Sequence, residues 1–402
     1  MKLLKKAISP ESSVFLNLIR LFACELVVLG HFLTRYQPIP EGALFTLGSV
    51  MGGVAVLLFF TLSGLLISYS LHNKLDNPGY RFRSFFVDRF SRIYSGLFSA
   101  LVIGAVVAAI IYATNYAYFL RLCSMQSTPS PLNFGFTLVM LEQRFPVVFF
   151  NSLLSAVGLH LSLPNVTPFG FNGILWTLVL EWWLYMVFGW LVIGSLSWWK
   201  KEGGIGYKVV FLVGAGFLGL LLAGMFEQSS SFIIAWFVGV LMMLAISSET
   251  VKIKLSNRLA AEFLGLLFVA SLAAAAFAAY ATFAWTKKYY DLNLGVPLAL
   301  CVFLGVLLLN NGGFKQISKL ALNKRVAGLT TSGAAYSYTL FLTHYPIIIL
   351  LAGLNLPTNR FLMLIPILLI TNLIAYTLAY FTEKRHRQIA CTLKRWLHLP
   401  QC

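Results

Sequence analysis

Arg20 and His31 stand eleven residues apart in a long apolar run near the N-terminus, in which Asn17-Leu-Ile-Arg20 leads on to Gly30-His31. On an α-helix that spacing is three turns to within about 20°, so both side chains project from one face. The rise separates them by about 16 Å. Two groups that far apart do not meet at one reacting atom, but they suit the two ends of an elongated ligand. A neutral imidazole titrates near working pH and can take the proton of an attacking hydroxyl. Singly, Arg20 reads as an ion pair between helices and His31 as a histidine at the membrane interface. Together on one face they favour a functional pair. Glu25 lies about 140° around the helix from Arg20 and faces a different neighbour.

Further polar groups recur in apolar surroundings. Glu181 sits in Asn172-Gly-Ile-Leu-Trp176-Thr177-Leu-Val-Leu-Glu181-Trp-Trp-Leu-Tyr185. A carboxylate held in an apolar run needs a partner or takes up a proton. His344 follows Tyr336-Ser337-Tyr338 and precedes Tyr345-Pro346, either as a core histidine bonded to a backbone carbonyl or as a ligand group. Ser63-Gly64 closes Phe59-Phe60-Thr61-Leu62-Ser63-Gly64, where a small pair by itself points to close helix packing. The stretch Arg81-Phe-Arg83-Ser-Phe-Phe-Val-Asp-Arg89-Phe-Ser-Arg92-Ile-Tyr94 alternates basic and aromatic residues. It reads as an amphipathic interfacial helix, and equally as a cradle for a cytosolic anion such as the phosphates of a nucleotide-bearing donor.

The elements that must position these groups are membrane helices. Of 402 residues 59% are hydrophobic and only 11% charged, where a soluble protein carries roughly a quarter charged. Mean hydropathy is +0.81. Runs long enough to cross a bilayer lie at about 14–33, 48–71, 93–113, 172–194, 207–226, 231–247, 260–284, 294–310, 334–354 and 360–381. An eleventh, about 134–163, is interrupted by Glu142, Arg144 and Pro146. With ten crossings and a cytoplasmic N-terminus, 23 of the 30 Lys and Arg fall on the cytoplasmic side and six outside. A crossing at 134–163 alone would reverse every later loop and destroy that asymmetry. The expectation is a polytopic all-α bundle of about ten spans with both termini cytoplasmic. In it 134–163 is re-entrant or lies at the outer surface, and a crossing paired with a second unrecognised span stays as the alternative. His31 and Glu181 then enter the membrane from the same side.

The net charge of +17 belongs to this flanking pattern and to attraction for anionic headgroups, so no nucleic-acid partner is expected. Lys2, Lys5 and Lys6 precede the first run as in a signal peptide. That run, however, contains Arg20 and Glu25 and lacks a small-x-small cleavage site, so it reads as a retained helix. The five cysteines show neither a CxxC spacing nor an even cluster, so neither a disulfide framework nor a metal site is expected. The chain reads as one membrane domain over 1–402, with its core at about 14–381 and a basic cytoplasmic tail at 382–402.

Four motifs in order resemble the acyltransferase-3 family of membrane O-acyltransferases, whose bacterial members O-acetylate surface polysaccharides such as O-antigen. They are Arg-x10-His at Arg20 and His31, FFxLSG at Phe59–Gly64, RxxRIY at Arg89–Tyr94 and WTLxxE at Trp176–Glu181. SYxLxLxH at Ser337–His344 adds to them. Ser95 stands where the family often has proline, and Glu25 where an apolar residue is usual. The resemblance implies an acyl-CoA-dependent O-acyltransferase in the bacterial inner membrane, with acetyl-CoA as donor substrate. The implied acceptor is a hydroxyl of a surface carbohydrate or lipid-linked glycan. It implies His31 and Glu181 as the catalytic pair, and Arg20, Arg89 and Arg92 on the donor side. Ser63, Gly64, Trp176, Thr177, Tyr185 and His344 would complete the substrate sites. The soluble hydrolase-like domain of some relatives is not read in this chain, so transfer falls to the membrane domain or a separate partner. Direct transfer and a covalent acyl-histidine relay both fit. A glycolipid or acyl-group flippase is the alternative, and it would be favoured by repeated halves with broken helices at matching positions; none is visible. A non-catalytic scaffold would not need Arg20, His31 and Glu181.

Overall fold

The computed structural model describes residues 8–35, 42–77, 79–125, 129–141, 144–159, 166–200, 204–247, 258–286, 292–310, 323–354 and 360–400. No strand occurs among them. The longer helices are α1 (Pro10–Arg35), α2 (Ala43–Lys74), α3 (Phe82–Thr114), α7 (Trp176–Trp199), α8 (Ile205–Ser247), α9 (Arg258–Ala281), α10 (Leu292–Asn310), α12 (Ser337–Gly353) and α13 (Leu364–Phe381). Shorter ones are α4 (Tyr116–Met125), α5 (Pro131–Leu138), α6 (Arg144–Ala156), α11 (Lys324–Ala334) and α14 (His386–Trp396). α8 leaves helical geometry at Ser229, where φ is −140° and ψ 29°.

Among the described residues eight helices are long and apolar enough to cross a membrane, and nine if α11 and α12, bent by 50°, form one broken span. Leu294–Asn310 is a shorter apolar helix. Each of the ten stretches expected from hydropathy is therefore helical. Large apolar side chains such as Phe98, Val213, Leu266 and Leu369 stand exposed on these helices. Such faces are stable against lipid tails and unstable against water. The chain is an all-α integral membrane protein. The interrupted stretch after residue 130 is not one crossing helix. Its eight-residue α5 and thirteen-residue α6 are separated by Met140 at φ 56°, and each falls short of the roughly 20 residues a crossing needs.

The chain forms two compact units interleaved in sequence. The first comprises 1–76, 231–341 and 359–369, and the second 77–230, 342–358 and 370–402. In the first, glycine permits backbone contact at two crossings. A Cβ on Gly30 would press into the Gly48 carbonyl and lie 3.0 Å from the Gly52 nitrogen, so α1 and α2 touch main chain to main chain. α2 meets the second half of α8 in the same way, Gly64 against the Trp236 carbonyl and Gly239 against the Thr61 carbonyl. The start of α1 is tied to the end of α10 by Ser12 Oγ donating to Asn310 Oδ1 at 2.7 Å and Ser9 N–H to the same oxygen at 3.0 Å.

In the second unit, Gly189 of α7 lies against the Phe85 ring of α3, and Gly104 of α3 against Gly170. A core of Val107, Ile111, Leu122, Phe171, Ile174, Tyr345 and Ile349 fills the other end. Thr382 and the turn Glu383–Arg385 carry the chain from α13 into α14, and two ion pairs dock this segment on α3. Lys394 Nζ lies 2.8 Å from Asp88 Oδ1 with both side chains buried, and Arg92 Nη1 lies 2.9 Å from Glu383 Oε1. Tyr80 donates to Asp88 Oδ2 at 2.9 Å. Burial, and then the Asp88 charge, push the Tyr80 phenol above its ordinary range, so it stays a donor throughout the working pH range. Cys24, Cys123 and Cys301 take part in no disulfide.

Removing one member of a buried pair strands the other. Lys394→Ala is expected to lower stability by about 3–5 kcal/mol. Lys394→Met with Asp88→Asn, which keeps an acceptor for Tyr80, should recover most of it. Thermal unfolding in detergent checks this, and equal losses in the single and double variants would contradict it.

Candidate active site

In the first unit, α1 carries Arg20 and His31, and both are half-buried. Arg20 lines a cavity of about 140 Å³ with Asn17, Ser13 and Leu16 of α1 and with Leu66 and Tyr69 of α2. Arg20, Asn17 and Tyr69, residues whose side chains carry donors suited to an anionic or carbonyl group, thus border one small space. His31 follows Gly30, the residue in backbone contact with α2, so that contact fixes the rotation of α1 and the direction of the imidazole. The Thr34 hydroxyl is spent on the Gly30 and His31 carbonyls at 3.1 and 3.3 Å.

Ser63 and Gly64 lie one to two turns before Ser68 and Tyr69 on α2, and their observed contacts are packing contacts. Trp236 Nε1 donates to Ser63 Oγ at 3.3 Å, and Gly64 admits the Trp236 carbonyl. Phe59 and Phe60 pack at a tilt against Phe341 and Phe232 with centroids 4.9 and 5.2 Å apart. The whole FFxLSG element locks α2 to its neighbours.

The second unit brings the arginine-rich and WTLxxE elements together. Tyr185, one turn below Glu181 on α7, donates to its Oε1 at 2.5 Å. The Arg89 guanidinium lies 5.9 Å from the ring centres of both Tyr185 and Phe85. Arg89, Tyr185 and Glu181 therefore form a continuous chain of contacts from α3 to α7. Trp182 packs edge-on against Phe86 and Tyr94 at 5.6 Å each, and Trp183 Nε1 donates to the Met140 carbonyl at 3.0 Å. Gripped on both sides, α7 holds Glu181 in one direction. Arg92, expected beside Arg89 on the donor side, pairs with the buried Glu383 carboxylate. Thr177, buried, gives its hydroxyl to the Ile174 carbonyl at 2.9 Å, and Trp176 is half-buried beside it. His344 is fully buried on α12.

One residue outside the expected set stands out by its bonding. Pro346 has no N–H, so the Leu342 carbonyl one turn earlier on α12 loses its helical donor. Asn172 Nδ2 replaces that donor at 2.8 Å. Gly170 and Phe171 turn the chain into place with φ of 73° and 58°. Phe171, fully buried, holds this left-handed geometry by packing edge-on against Phe119 at 5.6 Å. The segment that opens the WTLxxE helix is thereby riveted to the turn of α12 that carries His344. Proline within α12 was the readable signal; the identity of the substitute donor was not.

Asn172→Ala leaves a buried carbonyl without a donor, at about 1–3 kcal/mol. Pro346→Ala in that background restores an N–H to Leu342 and should return most of the lost stability. If the double variant unfolds no later than Asn172→Ala alone, the bond does not carry that weight.

Among the described residues no group of three or more His, Cys, Asp or Glu side chains is placed to hold a metal ion. Compared with known families, residues 13–381, nearly the whole chain, match the model of the acyltransferase-3 family, described as an acyltransferase domain. No curated protein and no solved structure matches the chain. The motifs read from the sequence, the apolar helices that carry them and this match over almost the full length agree, and the chain belongs to the acyltransferase-3 family of membrane acyltransferases.

Proposed function

We propose that this membrane acyltransferase takes acetyl from acetyl-CoA and transfers it to a hydroxyl of a surface carbohydrate or lipid-linked glycan, in a bacterial inner membrane. The observation that carries the proposal is the single face of α1, with a donor-lined cavity at Arg20 and His31 three turns away. The spacing of about 16 Å suits a pantetheine arm whose thioester lies near His31. Arg89, above Tyr185 and Glu181, supplies a second cationic point for the donor.

In the reaction, the His31 imidazole takes the acceptor's hydroxyl proton as its oxygen attacks the thioester carbonyl. The C–S bond breaks, the acetyl carbon forms an ester with the acceptor, and the coenzyme leaves as thiolate to be reprotonated. In the covalent variant, His31 attacks first and carries the acetyl group to the acceptor. Glu181 binds the acceptor, and its bond from Tyr185 keeps the carboxylate in place.

His31 is half-buried, so its loss should leave insertion and thermal unfolding close to wild type. His31→Ala is expected to lower acetyl transfer by about 10²–10⁴-fold, and a folded variant retaining more than about a tenth of the wild-type rate would overturn its role as base. Arg89→Ala should raise the KM for acetyl-CoA more than that for the acceptor. Arg92→Ala should act through Glu383 and lower stability instead. If Arg89→Ala leaves donor kinetics unchanged, the donor is held elsewhere.

A further inference from the structure

Of the four arginines in the segment 81–92, three are engaged. Arg81 donates to Ser197 Oγ at 3.2 Å, Arg89 lies over two aromatic rings and Arg92 pairs with Glu383. Arg83 is exposed and has no hydrogen-bond or ion-pair partner among the described residues. It stands at an apolar groove of about 260 Å³ whose other walls are Phe82, Phe86 and Val87 of α3 and Leu397 and Leu399 of the tail. That volume lies below the roughly 300–1,000 Å³ of pockets for whole small molecules.

The tail wall is firmly built. α14 ends in a turn where Leu399 N–H donates to the Lys394 carbonyl at 2.9 Å and His398 N–H to the Arg395 carbonyl at 3.2 Å. His398 supplies the left-handed residue at φ 50°, the helix-ending arrangement that satisfies the last carbonyls. The buried Lys394–Asp88 pair fixes this turn on α3, and Gly79 leaves room for Pro400, which a Cβ there would approach to 2.8 Å. Leu397 and Leu399 are thus held open as one side of a preformed slot. Exposed Trp199 and Trp396 close the ends of α7 and α14, and tryptophan at helix ends marks the headgroup level of a bilayer.

We propose that this groove is a binding site for an anionic phospholipid, with part of one acyl chain between Phe86 and Leu399 and the headgroup phosphate on Arg83. A guanidinium with no competing partner at the mouth of an apolar slot fits an amphiphile with a negative head. The site is separate from the proposed acyl transfer and does not depend on it.

The test uses the full chain in nanodiscs of phosphatidylcholine and phosphatidylglycerol, with the lipid retained after detergent exchange counted by native mass spectrometry. Wild type should retain phosphatidylglycerol in preference to phosphatidylcholine. Arg83→Ala should lose about fivefold of that preference, the effect of one basic residue at a membrane surface. Arg83 is exposed, so its replacement strands no buried group. Leu399→Ser should lower retention of both lipids. Arg395→Ala, which removes an exposed charge of α14 outside the groove, should keep the preference. An unchanged ratio in Arg83→Ala, or an equal loss in Arg395→Ala, would overturn the site.

Discussion

Helices surrounded by lipid gain no hydrophobic energy by touching one another, so they associate where small residues let their backbones come close. Three crossings that orient candidate site residues here have glycine at the contact. Gly30 against Gly48 and Gly52 sets the rotation of α1 and thus of His31, and Gly64 and Gly239 set α2 on α8. Gly189 against Phe85 sets α7 on α3, and so Glu181 and Tyr185 relative to Arg89. A methyl group at Gly30, Gly48, Gly64 or Gly239 would press into the facing main chain, and one at Gly189 into the Phe85 ring, turning the side chains that the proposed chemistry needs.

The second constraint is the cost of charge away from water. An ionisable group within a span is retained when it is paired or used. Asp88 and Lys394 are paired with each other and Arg92 with Glu383, and these pairs turn the basic tail into a fixed part of the second unit. Arg20 borders a cavity, and Arg89 lies beside the Tyr185–Glu181 bond. The arginines of one motif therefore separate physically into one that neutralises a buried carboxylate and one left facing the groups proposed for chemistry.

Much of this fold was legible, because bilayer thickness imposes apolar runs of about 20 residues whatever else a sequence does. α1, α2, α3, α7 and both halves of α8 all fall where hydropathy placed them. The shortness of α5 and α6 agrees with the charge asymmetry that argued against a crossing there. The packing sense of Ser63-Gly64 was also legible, since a small pair within a span has few other uses. Gly48-x3-Gly52 carried the same signal, but its partner Gly30 lies on another helix and no periodicity links the two. Residues brought together across long stretches of chain were not legible at all. Lys394 and Glu383 belong by sequence to a basic tail, and only the docking of α14 on α3 pairs them with Asp88 and Arg92. Asn172 reads from sequence only as the first residue of the 172–194 run, and nothing in the sequence links it to the proline-orphaned Leu342 carbonyl 170 residues away.

The central claim is that this chain moves an acetyl group from a thioester to a carbohydrate hydroxyl. Its most direct test is incubation of the purified wild-type protein in nanodiscs with acetyl-labelled acetyl-CoA and a glycolipid extract, followed by recovery of the glycan. The account predicts label in the glycan, released by mild alkali as an oxygen ester should be, with free coenzyme A formed in equal amount. Folded protein that leaves the glycan unlabelled and releases coenzyme A no faster than the blank would contradict it.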